Sequence, residues 1–399
     1  MKQNAQVNQN LWRVASADFL VRTAYQMGKS PLLPLFAASL GAGSVFLGLI
    51  VSVSTMTGLF LKPIFGYLSD RSGRRLWMLI GVGVFAVTPF LYWFVKTPEQ
   101  LFALRLIHGL ATAIFGPVTL AYVASLALEK RATRQGWFGL ARSGSYLIAP
   151  TAAAWALTWI DPAAVFTVIG CISLLAFLPV LALQEIQPKA QGVLRTQNPI
   201  GAFLYTAKRA ASVPVLWFAG SMEMTIYIST YALKAFLPIY AHLELGVDLL
   251  TVGLFFSIQE GANLLARPFG GKLADRFGLR PVLSAALCFL GGTILILPFA
   301  TTGPQFLVIA MLMGGSLGVV LPTIIALYSL QLPDKDLGLG MGLLGTIRNL
   351  GKVAGPIVGG LILTFATYTT LFVSSALLIL LLSATIAINK PLQENTDFV

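Results

Sequence analysis

Apolar runs of about 20 residues recur along almost the whole chain, broken only by short polar stretches. Each run is long enough to cross about 30 Å of hydrocarbon as a helix. The strict apolar–polar alternation of a membrane β-barrel is missing. The pattern predicts an all-α polytopic membrane protein. Its twelve spans fall near residues 12–38, 45–67, 76–95, 101–124, 136–157, 163–184, 213–240, 249–271, 281–300, 305–329, 339–364 and 369–388.

Composition agrees. Of 399 residues, 56% are hydrophobic and 11% charged, and mean hydropathy is +0.80. Soluble domains carry roughly twice that charged fraction. The net charge of +12 raises the question of nucleic acid, but the basic residues follow membrane topology instead. With the N-terminus in the cytoplasm, 17 Lys and Arg fall in cytoplasmic segments, 9 inside the spans, and only Lys96 in an outside loop. That asymmetry predicts both termini in the cytoplasm and insertion in a cytoplasmic (inner) membrane. Asp18 and Arg22 interrupt the first apolar stretch, so insertion is expected to use the first span itself rather than a cleaved leader. Cys171 and Cys288 lie in different spans, and nothing near them suggests a disulfide framework or metal ligation.

The chain repeats itself at an offset of 205 residues. Gly66-Tyr67-Leu68-Ser69-Asp70-Arg71-Ser72-Gly73-Arg74-Arg75 returns as Gly271-Lys272-Leu273-Ala274-Asp275-Arg276-Phe277-Gly278-Leu279-Arg280. Asp18 matches Glu223, Lys29 matches Lys234, Gly48 matches Gly253, Gly109 matches Gly314 and Pro117 matches Pro322. After one inserted residue, Gly139, Arg142 and Pro150 match Gly345, Arg348 and Pro356. Such a sustained offset marks a duplicated unit. An even number of helices per unit makes the repeats parallel, related by an axis along the membrane normal. The expected organisation is a six-helix bundle over 1–184, a cytoplasmic linker over 185–212 and a second bundle over 213–399. Two such bundles can rock about a site between them.

With these residues in view, the chain resembles the major facilitator superfamily over nearly all its length. The loop after helix 2 is similar to that family's motif A, with Gly66, Asp70, Arg71, Gly73, Arg74 and Arg75 in place; Gly271, Asp275, Arg276, Gly278 and Arg280 repeat it. The resemblance implies a cytoplasmic gate. Gly66 would let a neighbouring helix approach, and Asp70 would accept from a helix N-terminus or pair with arginines. Arg105-Leu106-Ile107-His108-Gly109 is similar to motif B, with His108 where the family has Gln. The resemblance implies a coupling role for Arg105. His108 is either a titrating partner or a hydrogen-bonded packing residue. Met27 to Pro34 partly resembles a drug-exporter pattern. The antiporter motif expected in helix 5 is matched better in helix 11, by Gly351, Gly355-Pro356 and Gly359-Gly360.

Charges at membrane depth face a cavity or a partner. Asp18, Glu223 and Glu260 are the carboxylates within the proposed spans. Glu260 and Asn263 share a helix face, with Arg267 beyond them. In the resembled fold helix 8 sits against helix 5, making Arg142 the expected partner of Glu260, as either a proton-exchanging or a permanent pair. Asp18 and Arg22 are four apart and suited to pair. Glu223 keeps the acid with Tyr227 in place of the base, which makes it a titratable candidate. Arg348 and Lys352 are four apart and need an anion. Lys62 and Arg267 are expected to snorkel to the cytoplasmic face, and Lys29 and Lys234 outward. Basic groups outnumber acids in the spans, so the cavity should favour neutral or anionic solutes. Tyr25, Gln26, Tyr227 and Tyr231 would give it apolar walls with polar tips.

These readings predict a monomeric secondary transporter rather than an enzyme. It would need the lipid bilayer and a small-molecule substrate, but no cofactor beyond a proton gradient. Proton-coupled efflux by alternating access leads. Organic-anion uptake or exchange is the alternative, and a non-transporting receptor or scaffold a more distant one. No G-x-x-x-x-G-K-[ST] loop for an ATP-driven pump occurs.

Overall fold

A computed structural model describes residues 2–126, 131–185, 214–329 and 334–388. Apart from Glu185, the linker expected over 185–212 lies outside the described residues. Twelve helices account for the described fold: α1 Lys2–Met27, α2 Ser44–Ser72, α3 Arg74–Val87, α4 Pro98–Leu126, α5 Arg131–Leu157, α6 Pro162–Leu175, α7 Pro214–Ile239, α8 Leu249–Phe277, α9 Leu279–Ile296, α10 Gly303–Ser329, α11 Asp334–Phe365 and α12 Tyr368–Ile388. Short pieces continue several of them, including Leu32–Ser39 after α1, 3₁₀ turns at Thr88–Phe94 and Leu297–Phe299, and a π-turn at Tyr240–Glu244.

The first predicted span is not one helix. α1 stops at Met27 and the chain resumes helix at Leu32, because Gly28 and Pro31 intervene and Pro31 removes a backbone donor. Other prolines are absorbed within helices, at Pro63, Pro117 and Pro150 in the first half and Pro268, Pro322 and Pro356 in the second. Those positions pair at the repeat offset. So do the turns that need a left-handed backbone: φ is +80° at Gly41 and +68° at Gly246, +100° at Gly73 and +88° at Gly278. Glycine adopts these angles without the clash a Cβ would bring. Within each half, Gly109 packs on Ser54 and Thr57 as Gly314 packs on Gln259 and Ala262.

Eight described helices are long and apolar enough to cross a membrane. The other four, α1, α5, α7 and α11, carry Asp18, Arg142, Glu223 and Arg348. Large apolar side chains such as Phe94, Trp159 and Phe365 are exposed on the outside, as a hydrocarbon solvent requires. Cys171 and Cys288 are exposed as well.

The halves meet at one end only. Gly48 of α2 lies against the Pro356 carbonyl of α11, and Gly253 of α8 against the Pro150 carbonyl of α5. Gly360 of α11 sits on the Ser44 backbone. Ser52 Oγ donates to the Val353 carbonyl at 2.8 Å, and Thr151 and Ser257 hydroxyls bond at 2.7 Å. Small residues permit this backbone-to-backbone approach. At the opposite, basic end, which carries the Gly73 and Gly278 turns, the same helices splay. A Cβ built at Gly66, Gly136, Gly139, Gly271, Gly342 or Gly345 would meet nothing within 4 Å. The molecule is closed at one end and open at the basic end.

Candidate functional site

The central cavity lies between the halves and opens at the basic end. It has two lobes of about 380 and 390 Å³, which share Arg142, Tyr146, Tyr231, Lys234, Glu260 and Lys352. Arg22, Tyr25, Gln26, Lys29 and Lys62 belong to the first lobe, and Tyr227, Asn263, Arg267 and Arg348 to the second. Every cavity residue expected from the sequence therefore reaches it.

Each half contains one buried acid that ties its first helix to its fifth. Asp18 is 1% exposed and accepts from Arg22 and Arg142, each at 2.9 Å. Glu223 is fully buried and accepts from Arg348 Nη2 at 2.7 Å and Nε at 3.1 Å. A forked guanidinium satisfies both carboxylate oxygens at once. Two expectations are corrected here. Arg142 is the partner of Asp18, not of Glu260, because near Arg142 helices α5 and α8 have already parted towards the open end. Glu223 is not left without a base: Arg348 supplies it, one helix away rather than one turn away. The same contact gives Arg348 the anion its charge requires.

Glu260 has a looser setting. Its Oε2 accepts from Asn263 Nδ2 at 3.0 Å, Arg267 Nε reaches Asn263 Oδ1 at 3.4 Å, and Lys234 Nζ stands 3.9 Å from Oε1. The Glu260 side chain is 24% exposed, to the cavity. Lys29 and Lys234 do not snorkel outward, nor do Lys62 and Arg267 leave for the membrane surface. All four line the cavity. Lys29 lies in the break between α1 and Leu32, and polar walls hold an ammonium better than lipid does.

Arg105 and His108 sit behind the cavity wall, both fully buried. Arg105 donates to Ser54 Oγ at 2.8 Å, and Ser54 also bonds the Tyr25 hydroxyl at 3.0 Å. The Arg105 guanidinium lies 5.8 Å from the Tyr25 ring centroid. His108 Nδ1 is 3.3 Å from the Tyr92 hydroxyl, and its ring packs edge-on to Tyr25 and Phe85. Tyr25 and Phe85 link this cluster to the cavity surface.

At the basic end Asp70 is held by its own neighbour, accepting from Arg74 at 2.8 and 3.1 Å. The N-terminus of α3 beside it has a different acceptor. Glu185, at the end of the sixth helical run, takes the backbone N–H of Arg74 at 2.8 Å and of Arg75 at 3.1 Å. Arg74 also donates to the Ala121 carbonyl at 2.7 Å, and Arg75 to the Leu181 carbonyl at 2.5 Å. Arg71 stacks on Tyr67, with 4.5 Å from guanidinium to centroid, and Arg276 on Phe277, with 5.1 Å. Among the described residues Asp275 and Arg280 form no ion pair. Gly66 and Gly271 touch no partner helix here, so the gate contacts are apart.

The family described as Major Facilitator Superfamily has a model that matches residues 17–258 and again 221–396. This chain belongs to that superfamily. Two matches that together cover nearly the whole chain fit the duplication seen in the backbone. Relatives of the chain include the multi-drug resistance efflux pump PmrA homolog of Lactococcus lactis, 24% identical over 93% of this chain and 92% of its own length. The multidrug resistance protein MdtG of Enterobacter lignolyticus is 23% identical over 91% of this chain and 87% of its own. Among solved structures, a mutant form of the nucleoside transporter NupG matches over 95% of this chain and 99% of that one, with TM-score 0.81 at 14% identity.

The sequence reading missed Tyr146 and Glu185, sent Lys62 and Arg267 to the membrane surface, and misdirected the lysines Lys29 and Lys234 outward. For the two lysines a signal existed: they match across the repeat, as do other residues that meet at the centre. For Glu185 there was none, since a cap joined across 110 residues leaves no local pattern.

Proposed function

We propose that this integral membrane protein is a secondary transporter that exports a small organic solute in exchange for protons. The observation that carries this reading is the cavity between the two halves, sealed at one end by α2–α11 and α5–α8 and open at the other. A charged cavity of that shape suits a carrier whose halves rock to expose it to each side in turn. The multidrug efflux for which the bacterial relatives are named favours export. The excess of Lys and Arg at the open end favours placing that end, and both termini, in the cytoplasm of a bacterial inner membrane. Export would load solute from that side. Glu260 suits proton exchange because it faces the cavity, and its nearest cation stands at 3.9 Å rather than in a tight pair.

The test is a solute-induced pH change in sealed vesicles containing the purified protein, across a panel of organic solutes. Wild type should move protons with at least one solute, and Glu260→Gln should reduce that signal by tenfold or more. Equal signals would remove Glu260 from coupling. No proton movement with any solute would end the antiport reading. Uptake or exchange of an organic anion is a second reading, favoured by the cavity's surplus of cationic side chains. It predicts accumulation of the anion inside vesicles rather than clearance.

A further inference from the structure

Three ammonium groups surround one ring at the centre of the cavity. Lys29, Lys234 and Lys352 stand 5.5, 5.3 and 5.5 Å from the centroid of Tyr231. Lys352 is also 4.9 Å from the Tyr227 ring, and Lys29 is 5.8 Å from Tyr25. The three lysines come from the break in α1, from α7 and from α11, so both halves contribute. Each sits over an aromatic face, which attracts a cation without neutralising it.

The nearby acids are already committed. Asp18 holds Arg22 and Arg142, and Glu223 holds Arg348. Glu260 reaches Lys234 alone, at 3.9 Å. Among the described residues, Lys29 and Lys352 have no carboxylate in reach. Three positive charges against one negative therefore converge on a cavity large enough for a small organic molecule. Like charges so placed repel and call for an anion.

We infer that Lys29, Lys234 and Lys352 form a binding site for a doubly charged anionic headgroup of the organic phosphate type, with its apolar body against Tyr231 and Tyr227. The balance of three lysines and Glu260 leaves two charges to be met, which a phosphomonoester dianion supplies and a monocarboxylate meets by half. Ammonium groups bind phosphate as point charges and need no fixed fork. The two tyrosine rings offer flat apolar faces beside the head. Because the lysines span both halves, a bound dianion would draw the two bundles together. That the anion is cargo rests on the transport reading above; that it binds does not.

The test uses the full-length protein purified in detergent, with binding followed calorimetrically at constant ionic strength. Phenyl phosphate, benzoate, phenol and phenyltrimethylammonium are the probes, sharing one ring and differing in charge. Phenyl phosphate should bind at least tenfold tighter than benzoate, with phenol and the cation weaker still. Lys352→Met and Lys29→Met should each weaken phenyl phosphate roughly tenfold or more and leave phenol unchanged. Lys352→Arg should stay within about threefold of wild type. Phenyl phosphate binding no tighter than phenol overturns the inference on wild-type protein alone, whatever the variants' folding. So does undiminished binding in Lys352→Met. Vesicles that exchange protons for a neutral solute, while phenyl phosphate does not bind, would sink this site and leave the efflux reading standing. Lysine-dependent binding without movement across the vesicle membrane would do the reverse.

Discussion

The two halves share a skeleton and differ in what they hang on it. Turn glycines, helix prolines and buried acid–arginine pairs recur at matching positions. Chemistry does not. Arg105 and His108 on α4 correspond to Ala310 and Met313 on α10, while Gln259, Glu260 and Asn263 on α8 correspond to Ser54, Thr55 and Gly58 on α2. The first half therefore buries an arginine behind its wall, and the second presents a carboxylate to the cavity. Duplication preserved what positions helices, and the Lys29–Lys234 match with it, and released the buried arginine and the cavity carboxylate.

The sharpest break in that symmetry is at the buried acids. Asp18 holds two guanidinium groups and Glu223 one fork. Asp18→Asn strands both arginines and is expected to destabilise the protein by about 3 kcal/mol or more. Glu223→Gln should destabilise less, by about 1–3 kcal/mol, because Arg348 is partly open to the cavity and one guanidinium rather than two loses its carboxylate. Melting temperatures of the two variants in the same detergent check the order. Equal losses would mean that Arg22 contributes nothing to the first pair.

The duplicated seals come next. A Cβ at Gly48 would stand 2.7 Å from the Pro356 carbonyl carbon, and one at Gly253 2.7 Å from the Pro150 carbonyl oxygen. Gly48→Val and Gly253→Val should each disfavour the closed end by about 1–3 kcal/mol. That would shift the population towards the opposite opening by about tenfold or more. A thiol introduced as Gly66→Cys, with Cys171 and Cys288 replaced by Ala, should then react with a maleimide correspondingly more slowly. If only one of the two valines has this effect, the seals are not equivalent.

The smallest contrast lies at the start of α2 and α8. Asp248 caps α8, its carboxylate accepting from Thr251 N–H at 2.8 Å, whereas Gly43 offers α2 no side chain. That hydrogen bond holds the Asp248 pKa below the usual carboxylate value. The cap's stabilisation is thus present above the unfolded-state pKa and is lost as pH falls through the depressed one. Asp248→Ala should cost about 1 kcal/mol near neutral pH, and Gly43→Asp should gain a few tenths. Thermal melts at pH 7 and in mild acid would show the difference narrowing as the cap protonates.

Much of this architecture was legible because the repeat let one half be read against the other. Matching Asp18 with Glu223 and Arg142 with Arg348 already contained both ion pairs, as two rows of one pattern. The pairing itself stayed hidden, since helix 1 meets helix 5 across 124 residues and the helical face of Arg142 suits Glu260 as well until the splay between α5 and α8 is known. Lys29 was misread for a local reason. A continuous first helix would have carried it past the cavity, and the stop at Met27 turns it inward. Glu185 illustrates the limit: a helix N-terminus needs an acceptor, but which distant acid supplies it depends on where the sixth helix ends.

The backbone contacts of Gly48 with Pro356 and of Gly253 with Pro150 bear on more than shape. A bilayer that stores energy as a proton difference is discharged by any continuous thread of water through it. Backbones pressed carbonyl against glycine leave no room for such a thread, so while the vestibule is flooded from one side the membrane remains an electrical insulator.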